Sequence, residues 1–166
     1  ILRFFSFKPH FTDPTKYRNK ELSARFSTNY SRETIKWQRN LVKNKLINLC
    51  DTSNINRFKY YKELTTSKYA IAPFGWGEIT YRDFEIFTSG AILIKPNMDH
   101  ISTWPNFYKE NETYLSFDWN CDNLLNVLDD SLINYKKFIE IAINAQTFYK
   151  KNILGSVASI NFAERL

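Results

Sequence analysis

The sequence is poor in the residues that hold structural metals or form cross-links. Its 166 residues include only two cysteines and two histidines. Cys50 and Cys121 lack the spacing of a metal site, and no His-rich or Asp-x-Asp cluster accompanies them. We therefore expect no metal, and reduced thiols in preference to the alternative of one disulfide. His10 and His100 are expected at the surface.

Long apolar runs are absent as well. The run ILRFFSF stops at Lys8 and Pro9, well short of the ~20 apolar residues of a membrane span, and it has no signal-peptide cleavage site. Residues 1–7 are expected to form a buried strand instead. Because the first residue is not Met, a piece of a longer protein is favoured. The expected location is cytoplasmic, close to a membrane through a basic face.

The composition is that of a globular protein with an uneven charge distribution. Apolar residues make up 43% and aromatic residues 17%, which can fill the core of one ordinary domain. Residues 1–70 contain 15 Lys and Arg against 5 Asp and Glu, whereas residues 71–166 contain 8 against 12. A basic half can attract a nucleic acid, an anionic membrane or a phosphorylated small molecule, or it can be a solvated lysine-rich face.

Hydrophobic periodicity predicts alternating strands and helices. Strands are predicted at 1–7, 68–74, 91–96 and 112–117, and helices at 31–50, 57–66, 80–87, 121–130 and 131–151. The helix over 31–50 is expected to bury a broad apolar stripe formed by Ile35, Trp37, Leu41, Val42, Leu46, Ile47 and Leu49. The predicted fold class is α/β, with an open, mostly parallel, Rossmann-like sheet flanked by helices in a single domain over residues 1–166.

The stretch PFGWGEITYRDFE, residues 73–85, contains two of the four glycines at the predicted carboxyl end of a strand. Thr80 and Asp83 have the spacing of a capping box, and Gly90 suits a left-handed helix end. Gly75 and Gly77 lack Cβ atoms, so that backbone N–H groups can approach a ligand beside a helix N-terminus. This combination suits a phosphate, although a sharp turn explains the two glycines as well.

Two charged residues of the same stretch extend this interpretation. Arg82 lies in the first helical turn and can form paired hydrogen bonds to a phosphate. Glu85 is three residues later on the same helical face and can accept hydrogen bonds from ribose hydroxyls. The alternative is an intrahelical ion pair between the two residues. Together with the glycines, the pair predicts a nucleotide site.

The stretch KYAIAPFGWGEITYRDFEIFTSGAILIKP resembles the donor-binding core of GT-B glycosyltransferases, particularly the exostosin-like and protein O-glucosyltransferase-like branches. The resemblance covers about residues 57–152 and is fainter over residues 1–56. It rests on a glycine-rich turn, an arginine ahead of an acidic helix position, and a glycine before an apolar strand. The matching residues are Gly75, Gly77, Arg82, Glu85, Gly90 and Ala91–Ile94.

The resemblance implies the C-terminal, nucleotide-sugar-binding half of a glycosyltransferase that uses a UDP-sugar and needs no metal. It implies diphosphate contacts from Arg82, ribose contacts from Glu85, and phosphate-facing backbone at the two glycines. Glu78 and Tyr81 would line the same cleft, and Lys8 would serve the phosphates. Six residues separate Glu78 from Glu85 instead of the family's seven, so no sugar contact is assigned to Glu78. The catalytic base and the glycan, lipid or protein acceptor would belong to an acceptor-binding half outside this sequence.

Two other classes of function remain as alternatives. The first is a non-catalytic nucleotide-binding or interaction module that keeps the sheet without the chemistry. The second is a nucleic-acid binder that stacks bases on Tyr30, Trp37, Tyr60 and Tyr61. Since these aromatic residues fall at helical spacing among aliphatic residues, we expect them to pack in the core, and no nucleic acid is expected as a partner. A transferase should concentrate positive charge beside Arg82.

Overall fold

The computed structural model describes residues 9–154, 160 and 163–164 of the chain. In chain order the elements are β1 (Lys20–Ser23), α1 (Glu33–Lys45), α2 (Arg57–Thr66), β2 (Ser67–Ile71), α3 (Tyr81–Ser89), β3 (Ile92–Pro96), β4 (Leu115–Phe117), α4 (Leu124–Ile133), α5 (Tyr135–Tyr149) and a π-helical turn (Lys150–Leu154). The strands form one sheet in the order β1-β2-β3-β4, and each neighbouring pair is parallel. The predicted α/β fold with an open, parallel, Rossmann-like sheet is confirmed.

Two apolar clusters cover the two faces of the sheet. Successive side chains of a strand point to opposite faces, so Tyr69 and Ile71 of β2 join the cluster beneath α1 and α4, whereas Ala70 joins the cluster beneath α2 and α3. Helix α5 contributes to both clusters. Because both faces are covered, four of the five residues of β2 and all five of β3 are buried, as expected for a buried parallel sheet.

The first strand of the described sheet was not predicted. β1 has the sequence KELS, and its two leading residues are charged, so that it has no apolar run. It lies at the edge of the sheet and pairs only with β2, which leaves just Leu22 and Ser23 buried. The strand predicted at residues 1–7 lies outside the described residues.

Helix α1 is shorter than predicted and buries a narrower stripe. It ends at Lys45, so Ile47 and Leu49 fall beyond its last turn and are 71% and 54% exposed. Trp37 is 49% exposed, because the inward side of the helix runs through Ile35, Val42 and Leu46 and the tryptophan lies beside that line. The prediction that all three residues are buried is therefore wrong.

Helices α2 and α3 begin and end close to the predicted positions. Thr80 and Asp83 form the predicted capping box, and Gly90 ends α3 with a φ of 73°. A Cβ atom at Gly90 would lie 2.5 Å from the carbonyl oxygen of Thr12 and 2.6 Å from Nη2 of Arg18. Both the backbone conformation and the lack of space therefore require glycine at this position.

Two polar side chains close the amino end of the sheet. The buried guanidinium of Arg18 donates to backbone carbonyls at the ends of α2 and α3 and in the loop before β1. The acceptors are the carbonyls of Leu64, Thr65, Ser67 and Ser89, together with those of Asp13 and Pro14 in the loop. The Gln146 amide of α5 donates to the carbonyls of Thr12, Phe87 and Thr88. The Arg18 guanidinium and the Gln146 amide therefore both have hydrogen-bond acceptors, and they join the chain segments that pack at this end of the sheet.

Cys50 and Cys121 are free thiols, and burial raises the pKa of both. Over residues 9–154, no helix combines the length and the hydropathy needed to cross a membrane. The same described part of the chain has no group of three His, Cys, Asp or Glu side chains arranged to hold a metal ion.

Candidate functional site

The carboxyl end of the sheet is open and has two adjoining cavities. After β2 the chain passes through the segment Gly75–Gly77 before α3 begins, and this segment lines both cavities. The arginine cleft, named for Arg39 and Arg82, has a volume of about 710 Å³. The aromatic cleft, named for Trp76 and Trp119, has a volume of about 470 Å³. Open parallel sheets bind their ligands at this end.

Five of the seven predicted site residues meet in the arginine cleft. They are Gly75, Gly77, Tyr81, Arg82 and Glu85. Glu78 was expected in the same cleft, but its side chain lines the aromatic cleft on the other side of the glycine segment. Lys8 lies outside the described residues.

The guanidinium of Arg82 is available to a ligand. It forms no hydrogen bond or ion pair with the described residues, and its Cζ atom lies 5.3 Å from the ring centroid of Tyr60. Arg82 and Glu85 form no ion pair, so the alternative of an intrahelical pair between them is not observed. Burial raises the pKa of the Tyr60 hydroxyl, and the positive charge of Arg82 partly offsets that rise. All five N–H donors of Arg82 can therefore contact an anion.

Glu85 is held in place by a tyrosine of the neighbouring helix. The hydroxyl of Tyr61 donates to Oε1 of Glu85 at 2.6 Å, and Nη2 of Arg57 donates to the same hydroxyl at 3.5 Å. Burial, followed by this bond to Glu85, raises the pKa of Tyr61. The second carboxylate oxygen of Glu85 accepts no hydrogen bond of normal geometry from the described residues, so it can accept hydrogen bonds from a ligand hydroxyl.

The N-terminus of α3 is anchored from below by a buried ion pair. The Asp83 carboxylate accepts from the peptide N–H and the hydroxyl of Thr80 at 3.0 Å, and the Lys95 ammonium lies 3.2 Å from its Oδ2. The Tyr108 hydroxyl donates to Oδ2 at 2.7 Å. Burial lowers the pKa of Lys95, an effect that the charge of Asp83 opposes.

This ion pair also determines the electrostatics of the helix end. A lone carboxylate at the start of α3 would cancel the positive end of the helix dipole. Because Lys95 neutralises Asp83, the dipole continues to favour an anion at this end. The capping box occupies the peptide N–H of Asp83, whereas those of Tyr81 and Arg82 lie at the helix start, where no intrahelical acceptor exists.

The two glycines of the segment have different roles. A Cβ atom at Gly75 would lie 3.2 Å from Cγ2 of Thr80 and 3.6 Å from Nη2 of Arg39, so glycine allows close packing there. The peptide N–H of Gly75 already donates to the Gly77 carbonyl at 3.1 Å. A Cβ atom at Gly77 would meet nothing within 4 Å. Gly77 therefore offers the open backbone surface that a ligand can approach.

Two polar residues of α1 hold the chain at the site and were not predicted. Arg39 lines the arginine cleft, whereas the buried Gln38 lines neither cleft. The Oε1 atom of Gln38 accepts from the peptide N–H of Phe74 at 3.2 Å, and Nε of Arg39 donates to the carbonyl oxygen of Phe74 at 2.6 Å. Helix α1 thus holds the peptide groups on both sides of Phe74, just before the glycine segment. The available signal was their position, since both residues lie between Ile35 and Val42 on the inward side of an amphipathic helix.

Aromatic rings line the second cavity. The ring of Trp119 lies 5.6 Å from Phe74 and stacks on Trp37 at 6.4 Å, while Phe74 lies 6.0 Å from His100. Nε2 of His100 approaches Oε1 of Glu78 to 3.9 Å at the exposed rim. The aromatic cleft therefore provides flat apolar surfaces beside a small number of polar groups, as many small-molecule sites do.

The four aromatic residues considered for base stacking are not core residues. None of Tyr30, Trp37, Tyr60 and Tyr61 is fully buried, so the expectation of core packing is wrong for Trp37 and only partly met for the three tyrosines. Tyr60 packs against the cluster beneath α2 and α3. Tyr30 lines the arginine cleft. Its ring centroid lies 4.5 Å from Cζ of Arg39 and 5.6 Å from the ring centroid of Trp76.

Part of the basic charge of the first 70 residues is used inside the fold. Lys20 and Arg25 both bind the Glu63 carboxylate, and Arg25 also binds Asp51. Arg18 and Arg39 are buried among backbone carbonyls. The charge excess of this half is thus partly structural.

Two comparisons with known proteins found no match. No family model matches the chain, and no curated protein matches it.

Proposed function

We propose that the chain binds a nucleotide-sugar at the arginine cleft and is the donor-binding half of a GT-B glycosyltransferase. The observation that carries the proposal is the free guanidinium of Arg82, which shares one cleft with the open backbone at Gly77 and with a half-free carboxylate at Glu85. The resemblance of residues 57–152 to that family assigns a diphosphate to the arginine and a ribose to the glutamate.

The geometry supports separate positions for the diphosphate and the ribose along the cleft. The diphosphate would lie against the first turn of α3, which contains Arg82. There the guanidinium, the peptide N–H groups and the helix dipole all favour negative charge. The ribose would lie against the free oxygen of Glu85, whose other oxygen is held by Tyr61. The exposed ring of Tyr81 stands at the rim of the same cleft.

The proposed chemistry is electrostatic. When the bond from the sugar's anomeric carbon to the diphosphate breaks, negative charge grows on the leaving nucleoside diphosphate. The guanidinium of Arg82 and the helix N-terminus already lie at the cleft before the bond breaks, so they would stabilise that charge with little reorganisation. The base that activates the acceptor hydroxyl would come from an acceptor-binding half, which is the expected partner. UDP as the nucleoside diphosphate and a cytoplasmic location remain predictions.

Calorimetric titration with UDP and GDP tests the proposal. The wild-type chain should bind at least one of them with 1:1 stoichiometry. Arg82→Ala should weaken binding by about ten- to a hundredfold, because a charge-assisted contact is lost, and Glu85→Ala should weaken the nucleotide but not inorganic pyrophosphate. Lys43→Ala, which removes an exposed positive charge from the last turn of α1, is the matched control and should bind normally.

The same titration separates the alternatives. A non-catalytic module would bind UDP and UDP-sugar without hydrolysing or transferring the sugar, even when the acceptor-binding half is supplied. A nucleic-acid binder would prefer single-stranded oligonucleotide, and Arg82→Ala would affect it no more than Lys43→Ala. Absence of UDP and GDP binding by the folded chain contradicts the proposed function.

A further inference from the structure

Arg39 carries a buried positive charge that no carboxylate balances among the described residues. Its side chain is 4% exposed, and it donates to the carbonyl oxygens of Phe74 at 2.6 Å, Ser27 at 2.8 Å and Pro73 at 3.3 Å. The ring centroid of Tyr30 lies 4.5 Å from its Cζ atom. Carbonyls and rings solvate a guanidinium but have no net charge. Burying such a charge is costly, and an anion nearby lowers that cost.

The cleft above Arg39 concentrates positive charge. Arg39 and Arg82 both line it, and Glu85 is the sole carboxylate among its described lining residues. The pKa of Arg39 is lowered to about 10, mainly by burial and in part by the positive charge of Arg82, so the two cations repel each other across the cleft. The Tyr61 hydroxyl already occupies one oxygen of Glu85.

Arg39 also has donors left for a ligand. Its three hydrogen bonds use three of five N–H groups, which leaves one on each terminal nitrogen. Nη2 lies 3.6 Å from the point where a Cβ atom of Gly75 would stand. Since Gly75 has no side chain, the path from the cleft to this nitrogen stays open.

We infer that Arg39 is the second cation of the anion site in the arginine cleft, so that this cleft selects a diphosphate group over a monophosphate. The inference deepens the proposed function and rests on it only for the identity of the nucleotide. A diphosphate offers one phosphate group to each of the two guanidiniums that line the cleft, and it has the charge to balance both. A single phosphate would satisfy one of them and leave the other unbalanced.

The test uses the whole chain with inorganic pyrophosphate, phosphate and sulfate at matched ionic strength. Pyrophosphate should bind at least about tenfold more tightly than phosphate, with a matching rise in Tm, because it adds a second charge-assisted contact. Arg39→Gln should remove that preference while weak phosphate binding persists, and Lys43→Gln on the same helix should keep it. Equal binding of all three anions by the wild-type chain overturns the inference.

A second variant decides the question if Arg39→Gln does not fold. Gly75→Ala keeps the charge of Arg39 but adds a methyl group 3.6 Å from its Nη2 atom in the lining of the cleft, so it should lower pyrophosphate affinity more than phosphate affinity. Unchanged pyrophosphate binding by Gly75→Ala overturns the inference. UDP distinguishes the two proposals, because pyrophosphate binding without any gain from the nucleoside contradicts the proposed function alone. UDP binding that is unaffected by both substitutions contradicts the role of Arg39 alone.

Discussion

Each end of the sheet buries an arginine, and the two side chains are used in opposite ways. At the amino end, Arg18 donates to six backbone carbonyls and lies against Gly90, where there is no space even for a Cβ atom. At the carboxyl end, Arg39 uses three of its five donors and lines an open cleft with Arg82, which uses none on the described residues. The residue type is the same, but the number of free donors and the neighbouring space differ.

This difference separates a structural arginine from a ligand-binding one. A guanidinium that is saturated by carbonyls joins helix ends and has nothing left for a ligand. One that keeps free donors at the wall of a cleft holds positive charge ready for an anion. Substitutions at one end of the sheet or in its supports should therefore change stability and ligand binding separately.

The largest effect on stability should come from the support beneath the carboxyl end. Asp83→Ala removes the partner of the fully buried Lys95 ammonium, so we expect the free energy of unfolding to fall by about 3–5 kcal/mol. Urea denaturation measures it. The double variant Asp83→Ala/Lys95→Met should lose less than the sum of the two single substitutions, because no unpaired charge is left. A loss below ~1 kcal/mol for Asp83→Ala would show that the ion pair does not anchor α3.

A matched pair of glycine substitutions compares the two ends directly. Gly90→Ala forces a methyl group into a position 2.5 Å from the Thr12 carbonyl oxygen at a φ of 73°. We expect it to lower the free energy of unfolding by roughly 2–4 kcal/mol. Gly77→Ala meets nothing within 4 Å and should cost no more than about 1 kcal/mol, while weakening UDP binding. If the two substitutions lowered the free energy of unfolding equally, the amino end of the sheet would not be more tightly packed than the carboxyl end.

A third arginine, Arg25, shows what full pairing with carboxylates does. Burial alone would raise the pKa of Glu63, but hydrogen bonds from Arg25, Lys20 and Ser23 outweigh it and lower the pKa to about 2 from an ordinary value of 4.5. Because the folded-state pKa is lowered, this contribution to stability is complete above pH 4.5 and disappears as the pH falls towards 2.

Glu63→Gln should therefore lower the free energy of unfolding by about 1–3 kcal/mol at neutral pH. The difference from the wild-type chain should shrink through the window from pH 4.5 to 2. Urea denaturation across that range measures it, with Glu112→Gln, at an exposed i,i+3 ion pair, as control. A difference that is constant with pH would contradict the assigned pKa.

The smallest effect on stability should be that of Arg82→Ala. The side chain forms no hydrogen bond or ion pair with the described residues, and only its cation–π contact with Tyr60 is lost. We expect a change within about 1 kcal/mol in the free energy of unfolding, together with nucleotide binding that is weaker by about ten- to a hundredfold. Thermal unfolding with and without UDP measures both quantities on one sample. Strong destabilisation would place this arginine in the same structural class as Arg18.

Local signals were sufficient to predict much of the fold. Helix α2 could be predicted at its observed limits, and the capping box of Thr80 and Asp83 together with Gly90 located α3. The short apolar strands predicted a sheet covered on both faces. By contrast, β1 could not be predicted, because an edge strand of four residues with two charges is stabilised by its pairing to β2 and not by its own pattern.

The site was predictable where chain neighbours build it. Five of the residues proposed from one continuous stretch face one cleft. Glu78 lies on the other side of the glycine segment, because the path of the chain between Gly75 and α3 is not encoded in spacing alone. Arg39 comes from a distant helix, and only its position on the inward side of α1 could have indicated that its charge serves the site.

We propose that the carboxyl end of the sheet, and not the amino end, binds the nucleotide. Backbone amide NMR of the chain titrated with UDP tests this most directly. We expect the largest chemical-shift changes at residues 75–85 and 39, with the amides around Arg18 and Gly90 unchanged. Shifts that centre on the amino end, or no shifts in excess UDP, would contradict it.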